Sequence, residues 1–458
     1  MRKIKCIVAA SLLALCASSS VAQSATSSYF LEGAFHNYKL NPAMKSERGF
    51  LSALVGNVSL KTNGNVGLST FLYPKDDKLT TFMSGSVDQK EFLDKLPDYA
   101  RLGVNLDETI LAGGFRLFGG YTTIDLSLHS SVAMSLPKGL FEFAKKGLQS
   151  DSYNFSNLNV NTMNYLTASL GYSHDIFKGF RLGANVKYIQ GLAYADIMVD
   201  KLNVEMSGER WKINSHAEAK AALFCEANPV LDQDGLISGI KLGDMKPSAS
   251  GVAFDAGLVW DMNFLVRGLK LSASVVDLGF IRWKHMMKGS SPEKTVEFTG
   301  FDELDYNNAE TTINSELTQL GDDAMQLMDF KYDGTSEFTT TLDATMFLGA
   351  EYSMPFYDKL SVAFLYAKRF TTMDYKSWYE MRGYVNLSPV KWLDLSVNYG
   401  STTYGKSLGW VLNFHPAGIN LFIGSDYMIT KVTPQYLPIN DMNAHVTVGL
   451  SLALGSRK

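Results

Sequence analysis

Ionisable side chains that could support catalysis are few and widely spaced in this chain. Asp125 and His129 lie four residues apart on one polar face of an alternating segment, so a carboxylate and an imidazole could share one interior. Such a pair can orient a base in a hydrolase, but it also needs a nucleophile that the fold places beside it. The other histidines are scattered, no Cys/His group has metal-ligand spacing, and no glycine-rich loop precedes a helix. We therefore expect no enzyme, no metal site and no cofactor.

A larger set of charged residues shares the polar face of predicted strands, and both signs are mixed within it. Mixed charges on one face of a sheet either form cross-strand ion pairs that fill the interior or line a polar conduit. The sequence leaves both interpretations open. The residues predicted to face the interior are Asp125, His129, Lys187, Asp255, Asp343, Glu351, Arg369, Glu380, Arg382 and Asp394.

Six short turns divide the chain into pairs of alternating strands. Between the turns, residues such as Val252 and Phe254 fall on an apolar face, while Ala253 and Asp255 fall on a small or polar face. A period of two places successive side chains on opposite faces of a sheet. One apolar face combined with tight turns at only one end predicts an all-β, transmembrane antiparallel β-barrel. The turns lie at 118–120, 174–179, 264–268, 355–359, 389–392 and 415–418.

The turns give twelve strands, and an opening strand near 50–60 and a closing strand at 446–454 raise the predicted number to fourteen. Twelve and sixteen remain alternatives, and an even number places both termini on the periplasmic side. The alternation slips by one at 275–276, which predicts a bulge before Asp277. Leu342 and Ala344 are predicted to lie on the apolar face of a later strand.

The connections at the opposite end are long and uneven, and we expect them to be extracellular loops. They cover 62–99, 136–157, 196–250 and 284–340. Apolar residues at helical spacing predict short helices at 140–145 and 317–328. These helices could cover the barrel mouth and collect a hydrophobic ligand, or they could pack onto neighbouring loops.

Residues 1–22 have the pattern of a secretory signal peptide, with a basic start, an apolar core at 7–15 and a small-residue cleavage site before Gln23. The apolar run is too short to span a membrane. Cys16 raises the alternative of a lipoprotein, but Leu15 precedes it where a small residue is needed. Export combined with a barrel places the protein in the outer membrane of a Gram-negative cell.

Cleavage would remove three basic residues and change the formal net charge from −4 to −7. This acidity argues against nucleic-acid binding, which needs a basic face. Cleavage would also leave Cys225 as the single cysteine, so no internal disulfide can form.

The segment before the first strand contains Asn41-Pro42-Ala43, which resembles the hatch region of FadL-type transporters and of the related PorV-like proteins of type IX secretion. Longer stretches are similar to an uncharacterised family of Gram-negative outer-membrane barrels in that class. They lie at 67–74, 275–283, 409–410, 413–416 and 420–422. The resemblance implies a fourteen-stranded barrel with an N-terminal plug and no assigned activity. The approach to Asn41, from Ala34 to Lys39, is bulkier here than the glycine-rich approach of the transporters.

We therefore expect a signal peptide at 1–22, a plug at 23–48, called the hatch segment below, and an outer-membrane barrel at 49–458. The expected function is passive transport of small hydrophobic molecules past the hatch segment, with outer-membrane lipid and a hydrophobic small molecule as partners. The alternative is a docking barrel that does not transport and that binds a secretion-system or surface protein.

Overall fold

The computed structural model describes residues 25–46, 48–53, 57–75, 78–147, 152–207, 210–298, 330–428 and 443–455. The predicted signal peptide and the predicted helix at 317–328 lie outside these ranges. Within them, no helix is long and apolar enough to cross a membrane.

Antiparallel strands make up most of the described chain, as the alternation predicts. The strands are β1 (Gly49–Ala53), β2 (Val58–Gly64), β3 (Leu72–Lys75), β4 (Lys78–Thr81), β5 (Tyr99–Leu117), β6 (Gly120–Pro137), β7 (Ser152–Asn154), β8 (Leu158–Phe177), β9 (Phe180–Ser207), β10 (Arg210–Leu223), β11 (Cys225–Leu231), β12 (Ile237–Met245), β13 (Ala249–Asp261), β14 (Leu269–Phe298), β15 (Lys331–Thr341), β16 (Thr345–Ser353), β17 (Leu360–Arg369), β18 (Tyr379–Val390), β19 (Leu393–Thr402), β20 (Gly405–Phe414), β21 (Ile419–Ser425) and β22 (Ala444–Leu454). The helices are α1 (Leu68–Phe71), α2 (Gln89–Asp94) and α3 (Lys138–Lys146), with 3₁₀ turns at Thr26–Ser28, Asn37–Lys39 and Asp374–Lys376.

Fourteen strand positions form one closed antiparallel barrel, which confirms the predicted fold and number. Three positions consist of two strands each: β1 with β2, β10 with β13, and β15 with β16. The last strand, β22, pairs with both β1 and β2, for example at Phe50–Ala453 and Ser59–Thr447. Closure matters because an open edge in hydrocarbon would leave backbone groups unpaired.

The short turns and the two-faced strands are also confirmed. Each of the six predicted turns joins two neighbouring barrel strands at the same end of the barrel. In β13, Val252 and Phe254 are 37% and 52% exposed, whereas Ala253 and Asp255 are 0% and 2% exposed. The outer face is therefore apolar and suits lipid, and the inner face carries small and polar residues.

The predicted bulge is present in β14. Val276 and Asp277 together oppose Asp255 of β13, and Asp277 has a positive φ of 61°. A bulge inserts one extra residue, so the side chains beyond it exchange faces. Beyond this bulge Ile281 and Trp283 point inward and are fully buried.

The neighbouring strand position is interrupted at the same height. β14 pairs with β16 as far as Val276 and with β15 from Phe280 onward, so residues 342–344 lie outside the ladder. Leu342 and Ala344 are 5% and 7% exposed, and their prediction as outward-facing residues is wrong. The alternation does not hold for them because the strand breaks between β15 and β16.

The outer rim of the barrel is uneven. β9 and β14 contain 28 and 30 residues, whereas β19 and β20 contain ten each. The predictions of loops at 196–250 and 284–340 are therefore corrected, since both ranges carry long strands. The outer halves of β9 and β14 are paired through β10, which extends the sheet beyond the shorter wall opposite.

The outer connections that are loops pack on one another. The Phe141 ring of α3 lies 5.3 Å from Phe71 and 6.4 Å from Phe82, centroid to centroid. On the other side of α3, Phe143 lies 5.3 Å from Tyr153. The apolar stripe of this helix therefore packs onto neighbouring loops. This is the second of the two predicted alternatives, the first being a cover over the barrel mouth that collects a hydrophobic ligand.

Candidate functional site

The described part of the hatch segment lies inside the barrel. Tyr29 and Asn41 are fully buried, and Phe35 and Tyr38 are 4% and 3% exposed. Burial raises the pKa of the Tyr38 phenol, and the nearby Asp125 carboxylate raises it further. The role of this segment as a hatch remains a prediction.

Asn41, Pro42 and Ala43 contact two glycines of the wall. The Asn41 side-chain oxygen accepts a hydrogen bond from the Ala43 amide at 2.9 Å, and its nitrogen donates to the Leu258 carbonyl at 3.1 Å. A Cβ at Gly257 would lie 2.1 Å from Asn41 Oδ1, and one at Gly183 would lie 2.2 Å from the Pro42 carbonyl oxygen. The hatch segment can therefore reach the wall here only because both wall residues lack side chains.

The start of the described hatch segment is held by Asp426, which follows β21. The Asp426 carboxylate accepts hydrogen bonds from the Ser27 amide at 2.8 Å, the Ser27 hydroxyl at 2.6 Å and the Thr26 amide at 3.2 Å. The Thr26 hydroxyl donates to Glu380 at 2.8 Å. Glu380 in turn accepts from Arg382 at 3.0 Å, and both of these side chains are fully buried. The first turn thus contacts a buried charge network.

Ser59, His445 and Asp426 lie in a row that resembles a hydrolase triad in composition. The Asp426 backbone amide donates to His445 Nδ1 at 2.9 Å, and Nε2 contacts the Ser59 hydroxyl. The same Nδ1 also lies 3.2 Å from the Asp426 carboxylate, so the contacts are compatible with either tautomer of the ring. The three residues connect β2, β22 and the end of β21.

A small polar cavity of about 120 Å³ lies inside the barrel, next to Lys39 and Leu40 of the hatch segment. Lys187 lies between two carboxylates of its wall, 2.8 Å from Asp255 and 2.6 Å from Asp277. Lys39 donates to the hydroxyls of Thr109 and Ser127 at 2.6 and 2.7 Å. Charges of both signs are therefore paired around the cavity.

The two residues that could have formed a catalytic pair have different partners. His129 Nδ1 contacts Asp107 on the neighbouring strand, its Nε2 lies 3.0 Å from the Thr167 hydroxyl, and its ring stacks on Tyr165 at 4.8 Å. Asp125 accepts from the Ser127 hydroxyl at 2.9 Å and lies 3.8 Å from Lys39. Both residues line the small cavity, but they do not bind each other.

The remaining predicted interior residues are distributed over separate groups. Asp343 and Arg369 line the small cavity, and Lys376 of the outer 3₁₀ turn lies 3.8 Å from Asp343. Burial lowers the pKa of Lys376, and Asp343 opposes that shift. Glu351 accepts from the Ser361 hydroxyl at 2.8 Å, and Asp394 lies 2.8 Å from His415 Nε2.

An apolar cluster inside the wall is the feature that the sequence analysis missed. It fills part of the interior between β8, β9, β13, β14 and the break at Leu342. Its buried members are Met163, Ile189, Tyr194, Ala222, Ala249, Ala253, Ile281, Trp283, Met286 and Leu342. Arg282, next to both Ile281 and Trp283, is the available signal, because a charged neighbour on the outer face implies that these apolar residues face inward.

A second, larger cavity of about 700 Å³ separates the hatch segment from the wall at the end with the short turns. Charged residues of both signs and several aromatic rings line it. Among the described residues, no group of His, Cys, Asp and Glu could hold a metal ion. The linings of the two cavities suit polar or amphipathic molecules.

A family model described as a family of unknown function, DUF5723, matches residues 42–426. The chain belongs to the DUF5723 family. This confirms the expected resemblance to an uncharacterised family. No curated protein matches the chain.

The chain is similar in fold to several solved barrels. The Ralstonia pickettii toluene transporter TbuX has 9% identity and a TM-score of 0.41 over 91% of this chain and 92% of that one. The P. putida toluene transporter TodX has 10% identity and a TM-score of 0.40 over 91% and 93%. A Pseudomonas aeruginosa FadL homologue has 10% identity and a TM-score of 0.34 over 90% and 91%. Similarity at this level does not extend to function.

The range that matches the DUF5723 model begins and ends at contacts of the hatch segment. It starts at Pro42, which lies against Gly183, and it stops at Asp426, which binds Thr26 and Ser27. Most of the hatch segment therefore precedes the matched range, whereas Gly183 and Asp426, two of the wall residues that it contacts, fall within that range.

Proposed function

We propose that this outer-membrane barrel passively transports small hydrophobic molecules and that the hatch segment closes its lumen. The observation that carries this proposal is the apolar cluster inside the wall. A lumen that served only polar solutes would gain nothing from a fully buried Trp283 and Ile281 on its inner face. Once a displacement uncovers them, apolar side chains there would offer a hydrophobic solute a surface within an otherwise polar interior.

The position of this cluster relative to the interrupted strand supports a route through the wall. Leu342, a member of the cluster, lies in the break between β15 and β16. The Leu342 amide donates a hydrogen bond to the Gly279 carbonyl of β14 at 2.9 Å. Around this bond, the ladder between β14 and its neighbouring strands β15 and β16 is interrupted. Separating strands costs less where fewer backbone hydrogen bonds hold them together. A solute on the cluster could leave sideways into the membrane at this break.

The hatch segment adds a second apolar group on the other side of the bulge. Tyr29, Phe30 and Leu40 pack against Val276 and Phe347 of the wall. Displacement of the segment would uncover these wall residues and extend the apolar surface. Closure of the lumen and access to the apolar wall would therefore both depend on the position of the hatch segment.

A deletion of residues 23–48 tests the proposed function. Purified full-length and shortened proteins are placed in liposomes, and swelling in sugars is compared with uptake of a hydrophobic dye. We expect the shortened protein to admit both classes of solute faster than the full chain. Resistance to heat denaturation on gels provides the control for a folded barrel. If a folded, shortened barrel shows unchanged permeability to every class, the proposal fails.

A docking role is the second candidate, and the uneven rim favours it. The β11–β12 hairpin leaves the wall between β10 and β13 and carries Leu242 and Met245 with 59% and 84% exposure. Exposed apolar residues on a projecting hairpin are typical of a contact surface. Affinity purification of the tagged full chain, compared with a variant that lacks residues 226–245, tests this role. A stoichiometric partner lost only from the variant would support docking over transport.

A further inference from the structure

The cavity of about 700 Å³ between the hatch segment and the wall has a size typical of small-molecule sites. It is lined on one side by residues 29–46 and on the other by the ends of strands next to the short turns. It opens at that end, which the fold places on the periplasmic side. The proposed transport function does not assign a ligand to this cavity.

One part of the cavity wall is rich in positive charge. Asp175 binds two cations, Lys45 at 3.1 Å and Arg181 at 2.5 Å. Arg116 and Lys178 line the same cavity and form no ion pair with any residue in the described ranges. Two cations thus share one carboxylate, and an anionic group entering here would meet the two cations that form no ion pair.

Another part of the same wall is rich in negative charge. Lys270 lies 2.6 Å from Glu32 and 3.5 Å from Glu351. Asp261, directly opposite Lys270 on the neighbouring strand, also lines the cavity. Two carboxylates thus contact Lys270 and Asp261 adds a third negative charge, so this part would attract an ammonium group.

Aromatic and aliphatic side chains complete the lining. Phe30, Phe35 and Phe177 face the same space as the two charged parts. A ligand that matches the cavity therefore has an anionic group, a cationic group and an apolar body. We propose that the cavity is a binding site for a small zwitterion with an apolar body, reached from the periplasmic side.

Ligand binding at this position would affect the hatch segment directly. Lys45 and Glu32 belong to that segment, and each forms an ion pair with the wall across the cavity. The charged ends of a zwitterion compete for the same two pairs. Occupancy of the cavity therefore weakens two connections between the hatch segment and the barrel.

The test uses the full-length protein in nanodiscs and isothermal titration calorimetry. The probe is the dipeptide phenylalanyl-glycine, and its controls are the N-acetylated form, which lacks the cation, and the C-terminal amide, which lacks the anion. We expect saturable binding of the dipeptide and roughly two- to fivefold weaker binding of each blocked form, as for partly exposed charge contacts. Soluble short-chain phosphatidylethanolamine is titrated in parallel and shows whether a lipid headgroup competes for the site.

One double variant and one control variant identify the site. Exchanging both unpaired cations, Arg116→Gln with Lys178→Gln, should weaken the dipeptide and the acetylated form and leave the amide unchanged. Arg267→Gln, an exposed cation at another short turn that does not line the cavity, should change nothing. Equal binding of all three probes, no saturable binding, or an equal effect of the control variant would overturn the proposal. None of these outcomes depends on whether the barrel transports a solute.

Discussion

Gly183→Ala should loosen the hatch segment without altering the barrel wall. Gly183 lies on β9 with its open side toward Pro42, and an added Cβ would lie 2.2 Å from the Pro42 carbonyl oxygen and 2.4 Å from the Ala43 amide nitrogen. Ordinary contact needs more than 3 Å, so the segment must move by about 1 Å or more. Both contacted atoms belong to the backbone, which cannot rotate away as a side chain can.

The size of the effect follows from the cost of overpacking. An added methyl group in a close-packed site costs about 1–3 kcal/mol, and every 1.4 kcal/mol changes an equilibrium about tenfold. If the segment relieves the clash by leaving its site, its open population should rise about 5- to 150-fold. The barrel strand itself should be unaffected, because alanine fits a strand at least as well as glycine does.

Hydrogen–deuterium exchange measures this change directly. Amides of the hatch segment should exchange faster in Gly183→Ala by that factor, whereas amides of β9 should exchange at the wild-type rate. Gly383→Ala is the matched control, because a Cβ at that lipid-facing position has no atom within 4 Å. Equal protection of the hatch segment in wild type and Gly183→Ala would refute the contact between Pro42 and the wall.

Three further predictions concern the interior. Trp283→Ala should lower the free energy of unfolding by about 3–5 kcal/mol, since it empties the centre of the apolar cluster, and heat-shift gels would detect the loss. Lys187→Met should cost about 3–5 kcal/mol because Asp255 and Asp277 lose their shared cation, whereas Lys187→Arg should cost less. Lowering the pH should restore part of the stability of Lys187→Met by protonating these carboxylates, and unchanged stability from pH 7 to pH 4 would contradict this. Ser59→Ala should leave esterase activity toward nitrophenyl esters at background, as in wild type, and a loss from a measurable wild-type rate would show that Ser59 is activated.

The barrel was predictable because turns and alternation are local properties of the sequence. The bulge before Asp277 was predictable for the same reason, since it shifts the alternation by one residue. The partners of the interior charges were not, because they depend on the register between strands. Asp125 and His129 are about 13 Å apart along a strand that rises roughly 3.3 Å per residue, and the partner of His129 is Asp107, directly opposite on β5.

Contacts between residues far apart in the chain also could not be predicted from the sequence. The Asn41-Pro42-Ala43 element predicted a hatch, but nothing in the local sequence indicated that it contacts Gly183 and Gly257 of the wall. Asp426 carries no sequence signal for its bonds to Thr26 and Ser27, which lie 400 and 399 residues away. Such contacts follow only from the closed barrel.

A reversible tether on the hatch segment tests the central claim most directly. A Cβ at Gly409 would lie 2.5 Å from the Ser27 hydroxyl oxygen and 2.3 Å from Asn398 Oδ1. Ser27→Cys with Gly409→Cys, in a background with Asn398→Ala to remove this clash and Cys225→Ser, therefore places two thiols within reach of a disulfide. Uptake of a hydrophobic dye by outer-membrane vesicles is measured before and after reduction. The account predicts no uptake through the oxidised protein and recovery after reduction. Equal uptake in both states, with the disulfide verified by mass spectrometry, would contradict it.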